Sequence, residues 1–487
     1  MKQTIHMNII RTALALVIGC LPLGVSAKVT LPRFFSDNMV LQQQSECNIW
    51  GKADKGRTVV VITSWDKQSY SATVDQEGYF SVKVKTPKAG GPYDISFATA
   101  PSQPSSRQAS GLGLDCVLRN VLIGEVWICS GQSNMEMQMK GFKQQPVEGT
   151  TEELLHCKDS SLRLFTVKRH ASLVPEWDVT GEWSEAFPAS VRDFSATAYY
   201  FGKALRSTLD IPVGLIVTSW GGSACEAWMH PDWLRAFPKV QQTITETDVQ
   251  KLQQRCPTAL YNGQLKPLIG FTLRGAIWYQ GEDNVPRYDY YAPLLKAMVE
   301  GWRADWGQGA FPFYYCQIAP YDYSLIDWKG SQYLREQQQK AESMISNARM
   351  AVLMDAGLEY GIHPRKKRQA GERLAILALA NTYGVKGLPD FAAYSGVEFQ
   401  GDTAVIAFDR SKEWVYFEHG PHSQNFEIAG EDRVFHPAEA WVSRNRVYIK
   451  SNEVRHPVAV RYAFKDWVEG DLMHDGLPVS SFRTDNW

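Results

Sequence analysis

Residues 121–139 read VLIGEVWICSGQSNMEMQM. The apolar runs Val121-Leu-Ile123 and Val126-Trp-Ile-Cys129 fit a strand buried on both faces. The run breaks at Ser130-Gly131, and Gln132-Ser133-Asn134 then leads into a Met/Glu segment suited to a helix start. A serine in a glycine-containing turn between a buried strand and a helix is a favoured position for a nucleophile. The hydroxyl is held out at the sheet edge, and helix amides favour developing negative charge. An N-cap serine explains the same local pattern, so the rest of the chain has to decide.

Working outward, the rhythm of strand then helix continues. Residues 162–167, 211–217, 273–279, 311–318 and 349–354 read as further strands, and residues 195–209 and 288–302 carry helical stripes. Apolar strands alternating with helices predict an α/β fold with a parallel sheet covered on both faces. Polar turns follow several of these strands: Ser219-Trp-Gly-Gly-Ser223, Gln280-Gly-Glu282, and the loop from Asp355 to His363. In open α/β sheets the ligand site lies outside the carboxyl ends of the strands, so these turns are expected to meet Ser133 at one rim. That convergence favours the nucleophile. His363 is the candidate base. The backbone amides of Ser133 and Gly222 and the side-chain amide of Gln280 are candidate oxyanion donors, and Glu282 is a supporting carboxylate.

On either side of this segment the pattern changes to short alternating strands. Residues 28–118 predict an N-terminal β-sandwich, 119–393 the α/β unit, and 394–487 a C-terminal β-rich unit. Residues 1–27 have the form of an export signal: Lys2 and Arg11, an apolar segment, then Val25-Ser26-Ala27. This places the protein outside the cytoplasm, periplasmic or secreted. A lipoprotein processing site at Cys20 is the less favoured alternative. No later run is long enough to span a membrane. The formal net charge of −1 over 487 residues argues against a nucleic-acid surface. No CxxC spacing points to a metal cluster, and no cofactor is expected.

Four motifs, Gly131-Gln-Ser-Asn-Met135, Ser219-Trp-Gly-Gly-Ser223, Trp278-Tyr-Gln-Gly-Glu282, and Ile362-His-Pro364 with Lys367 and Gly371, resemble those of the sialate O-acetylesterases. These are carbohydrate esterases of the SGNH hydrolase superfamily. The resemblance extends from Leu31-Pro-Arg-Phe-Phe-Ser-Asp-Asn-Met-Val-Leu41 to Phe482-Arg-Thr-Asp485. It implies an SGNH-type three-layer hydrolase with Ser133 as nucleophile, His363 as base, and an oxyanion hole completed by Gly222 and Gln280. It further implies an O-acetylated sugar as substrate, sialic acid first. Acetylated plant polysaccharide such as xylan or pectin, and non-catalytic sugar binding, are the alternatives. One position departs from the pattern. Many superfamily members carry aspartate three residues before the histidine, where this chain has Tyr360. Asp355, Glu359 or a backbone carbonyl is then left to orient His363, with Asp355 favoured because it ends a strand.

Overall fold

An 18-residue strand, Leu114–Gly131 (β1), is the axis of the fold. The computed structural model describes residues 29–100, 114–411 and 414–487, so the expected export segment lies outside the described residues. The first half of β1 is partly exposed. Its last eleven residues are all buried, as the apolar run from Val121 requires. Five strands follow in sequence as β2 (Asp159–Thr166), β3 (Trp183–Ala186), β4 (Val213–Ser219), β5 (Gly275–Tyr279) and β6 (Phe313–Cys316). With β7 (Ala348–Ala351) they form a sheet in the order β7-β6-β5-β1-β4-β2-β3. Every neighbouring pair is parallel except the edge pair β2–β3. The fold is α/β, as expected. β3 was not foreseen, because Trp183-Ser-Glu-Ala186 is too short to show a period.

Both faces of the sheet carry helices. Trp127 and Trp278 sit on opposite faces, because Trp278 pairs with Ser130, three residues along β1. Trp127 packs edge-on against Phe201 of helix Ala196–Leu209. Trp278 packs edge-on against Trp302 of helix Tyr291–Trp306. On the Trp127 side, helix Lys367–Asn381 lies against Ala196–Leu209 through Gly371: a Cβ there would sit 2.5 Å from the carbonyl of Thr197. On the other side Tyr291–Trp306 is joined by helix Ser331–Met344.

β1 also belongs to the N-terminal strands. Its first half pairs with Gly90–Ala100, and Val40–Gln42 runs parallel to Leu122–Gly124. Where β1 leaves those strands, the buried Glu125 accepts two bonds from Arg274 (2.6 and 3.1 Å) and others from Gln42, Gln43 and Tyr383. A buried carboxylate is tolerated only with this degree of satisfaction. At the other end of the chain a seven-stranded antiparallel sheet runs from Ala393–Gln400 to Phe482–Arg483.

Candidate active site

The turn after β1 is pinned by its neighbours. Gly131 has φ +138°, and a Cβ at that position would lie 2.2 Å from the carbonyl oxygen of Tyr279. Only glycine lets β1 leave the sheet this close to the end of β5. The Gln132 amide donates to Tyr279 O (2.9 Å), and the Gln132 side-chain oxygen accepts from the amides of Gly281 (3.1 Å) and Asp283 (3.3 Å). From the other side, Trp220 N donates to Gly131 O (3.2 Å). The ends of β1, β4 and β5 are thereby locked together.

Ser133 opens a single helical turn, Ser133–Glu136. The expected helix goes no further, because the chain bends back at Met137 and pairs with residues 194–196. Gln132, not Ser133, holds the cap position, and the Ser133 hydroxyl makes no hydrogen bond to a described residue. The N-cap explanation of Ser133 therefore fails here. Ser133 instead lines a cleft of about 500 Å³ with Gly221, Gly222, Glu282 and His363. The convergence expected from sequence is thus observed for four strand ends. Gly222 has φ +72° and its amide, like that of Ser133, has no partner among the described residues. The neighbouring Gly221 amide is taken by Glu136 (2.7 Å), which also holds Arg169 through two bonds of 2.6 and 2.7 Å.

Two expected residues are not brought to these roles. Gln280 is completely buried. Its amide donates to Ser223 O (3.1 Å) and Asn284 Oδ1 (2.7 Å), while its oxygen accepts from Tyr291 (2.8 Å). With both ends engaged inside the protein, the side chain offers the cleft no donor. Asp355 forms a bidentate pair with Arg373 (2.6 and 2.6 Å), which draws it to helix Lys367–Asn381 and away from the histidine. His363 Nδ1 lies 2.6 Å from Gln145 Oε1 instead. The ring also meets Phe142 edge-on at 5.0 Å. Gln145 escapes a reading of the sequence because it sits in a short connection between Gly141 and Gly149 that belongs to no helix or strand and shows no hydrophobic period.

A buried polar bridge joins the serine turn to the histidine loop. Asn134 Nδ2 donates to Glu282 Oε1 (2.5 Å) and to Ile362 O (3.1 Å), and its oxygen accepts from Lys367. Burial raises the Glu282 carboxyl above the usual range. Burial likewise pushes the Lys367 ammonium down to about 7, against the pull of Glu282. His363 is held down to about 4, first by burial and then by the Lys367 charge. The imidazole is therefore neutral, the form a general base requires, over the whole physiological range. Among the described residues no group of three or more His, Cys, Asp or Glu is placed to hold a metal ion. No described helix is long and apolar enough to cross a membrane.

A serine turn and a neutral histidine thus share one cleft at the carboxyl edge of an α/β sheet, and the chain is similar to known ester hydrolases. Residues 123–378 match the family model described as carbohydrate esterase, sialic acid-specific acetylesterase. The sialate O-acetylesterase of Rattus norvegicus is 27% identical over 77% of this chain and 77% of its own. That of Homo sapiens is 29% identical over 73% and 71%. A carbohydrate acetylesterase from Xanthomonas citri superposes with a TM-score of 0.84 at 33% identity, covering 94% of this chain and all of that one. The chain belongs to the sialic acid-specific acetylesterase family of carbohydrate esterases. It is a carboxylic ester hydrolase, a carbohydrate O-acetylesterase.

Proposed function

We propose that the chain hydrolyses sugar O-acetyl esters through an acetyl-serine intermediate on Ser133. The observation that supports this is the placing of Ser133, His363 and the unpartnered Ser133 and Gly222 amides around one cleft. Ser133 Oγ attacks the acetyl carbonyl carbon while His363 Nε2 takes its proton. The two amides hold the oxyanion, and the same proton passes to the departing sugar oxygen. Water, deprotonated by His363, then attacks the acetyl carbonyl; the acyl–Oγ bond breaks, His363 returns the proton to Ser133 Oγ, and acetate leaves. Glu282 acts at a distance, by fixing Asn134 between the two loops.

The same reading makes the α/β unit an SGNH-type hydrolase of residues 119–393, between β units of 28–118 and 394–487. The first boundary falls inside β1, so the two units share a strand. Export by residues 1–27 gives an extracytoplasmic enzyme. For the substrate, O-acetylated sialic acid is supported by the names of the mammalian relatives. The guanidinium groups of Arg169 and Arg255 line the cleft and suit an acidic sugar. A neutral acetylated polysaccharide is the second reading. It is favoured by Tyr321, Ile326 and Trp328 on the same wall, an apolar surface of the kind that stacks sugar rings. Acetate release from O-acetylated sialic acid and from acetylated xylan, measured side by side, separates the two. Faster kcat/KM on the xylan would overturn the sialate assignment.

A further inference from the structure

The loop that carries Gln145 is built as a rigid arm. Phe142 and Gln145 exchange two backbone hydrogen bonds of 3.0 Å, closing a four-residue turn. Gly141 precedes it at φ +78°, and a Cβ there would lie 2.3 Å from the carbonyl of Gln145, so the turn closes only over glycine. Thr150 Oγ1 bonds Met139 O (2.7 Å) and Val147 O (2.9 Å), cinching the base of the loop. Glu148 N donates to Arg365 O (3.0 Å), tying the arm to the loop that holds His363. Two side chains of this arm reach the imidazole: Phe142 in an edge-on ring contact, Gln145 on Nδ1.

We propose that Gln145 is the positioning residue of His363, a neutral amide doing the orienting that a carboxylate does in most serine hydrolases. This inference rests on the acetyl-serine reading above. The Gln145 carbonyl accepts the proton on Nδ1. That bond selects the tautomer whose Nε2 carries the lone pair, and Nε2 has no partner among the described residues. Nε2 is then the atom that takes the serine proton, and Nδ1 keeps its own throughout. A neutral partner orients the ring without stabilising imidazolium. The base therefore stays unprotonated in mild acid, and the charge formed during reaction receives less help than a carboxylate would give. The charged groups near the ring are Lys367, Glu282 in the same cleft, and the cleft-lining ion pairs Glu136–Arg169 and Asp283–Arg255. Asp283 is shared with Arg287, and of all these groups Lys367 is the charge that lowers His363.

The test is a pH profile of kcat/KM on p-nitrophenyl acetate for the parent, Gln145→Ala and Gln145→Glu, with Ser133→Ala alongside. Gln145→Ala should lower kcat about 10- to 1000-fold with KM within about twofold, less than the ~10⁴ seen when a triad carboxylate is lost. Gln145→Glu should retain more activity than the alanine variant. It should also move the acid limb upward by about 1–3 units, as an adjacent opposite charge does. A merely structural glutamine would not move that limb. Gln145→Ala with kcat within twofold of the parent, or Gln145→Glu with an unmoved limb, overturns the proposal. If Ser133→Ala also keeps full activity, it is the acetyl-serine reading that has failed; if Ser133→Ala is dead, only the role of Gln145 has.

Discussion

At the scale of residues, the electrostatics of the cleft set the working pH. His363 is pushed down to about 4 from an ordinary 6.5 because the imidazolium would be buried and would face Lys367. A base acts only when neutral, so kcat/KM should hold from pH 7 to about 5 and fall as the pH approaches 4. A profile that already halves near 6.5 would show that the ring is solvated in the working enzyme. Gln280 gives a second prediction. Its amide and oxygen satisfy Ser223, Asn284 and Tyr291, so Gln280→Ala leaves buried polar groups unpaired. Each costs about 1–3 kcal/mol, and the expected result is a lowered thermal midpoint. An oxyanion donor would behave differently, losing about 100- to 1000-fold in kcat at an unchanged midpoint. That Ser133 and His363 meet at one cleft was legible in the sequence, because each follows a strand of the same sheet. The partner of His363 was not: Asp355 was favoured because it ends a strand, but Arg373 on the following helix claims it in space.

At the scale of elements, the turn from β1 to the one-turn helix Ser133–Glu136 depends on backbone that has no room to adjust. Gly131 combines a left-handed φ with contact against Tyr279 O. Gly131→Ala should cost at least about 2–3 kcal/mol, the strain of such a conformation with a clash added. It should also lower the thermal midpoint by about 5 °C or more. Activity should fall further than stability, since Gln132 and Ser133 move with the turn. Thermal unfolding and acetate release measured on the same preparation check this, and a variant with parental midpoint and rate would contradict it. The strands and helices themselves were readable, since apolar runs such as residues 213–219 are buried throughout. Their ends were less so. Residues 311–318 yield only Phe313–Cys316 as strand; just beyond its end the Gln317 side chain turns to Ser480 of the C-terminal unit (2.7 Å).

At the scale of the molecule, the C-terminal β unit is anchored to the hydrolase in large part through helix Ser331–Met344, with further bonds from Gln317 to Ser480 (2.7 Å) and from Gly470 N to Met354 O (3.0 Å). Asp466 accepts from the amides of Gly330 (3.2 Å) and Ser331 (2.8 Å), capping helix Ser331–Met344 from outside. Within that helix Arg335 is completely buried and donates to Ser331, Ser481 and the carbonyl of Lys465. Bonds from a charged group are worth about 1.5–3 kcal/mol each. Arg335→Met should therefore lower the thermal midpoint and open residues 465–481 to limited proteolysis. Unchanged proteolysis would mean that the aromatic contacts, such as Tyr333 against Phe464, hold the unit without it. Tertiary pairings of this kind leave no periodic trace in a sequence, so the arrangement of the β units around the α/β sheet could not be read from it.

In the proposed reaction Ser133 carries the acetyl group. Its most direct test is acetate release from an O-acetylated sugar by Ser133→Ala, with the parent protein treated with a fluorophosphonate and the labelled peptide identified by mass spectrometry. The account predicts a label on Ser133 and a loss of about 10⁴-fold or more in rate for the alanine variant, on the scale of losing a triad member. Parental acetate release by Ser133→Ala, or a label on another residue, would contradict it.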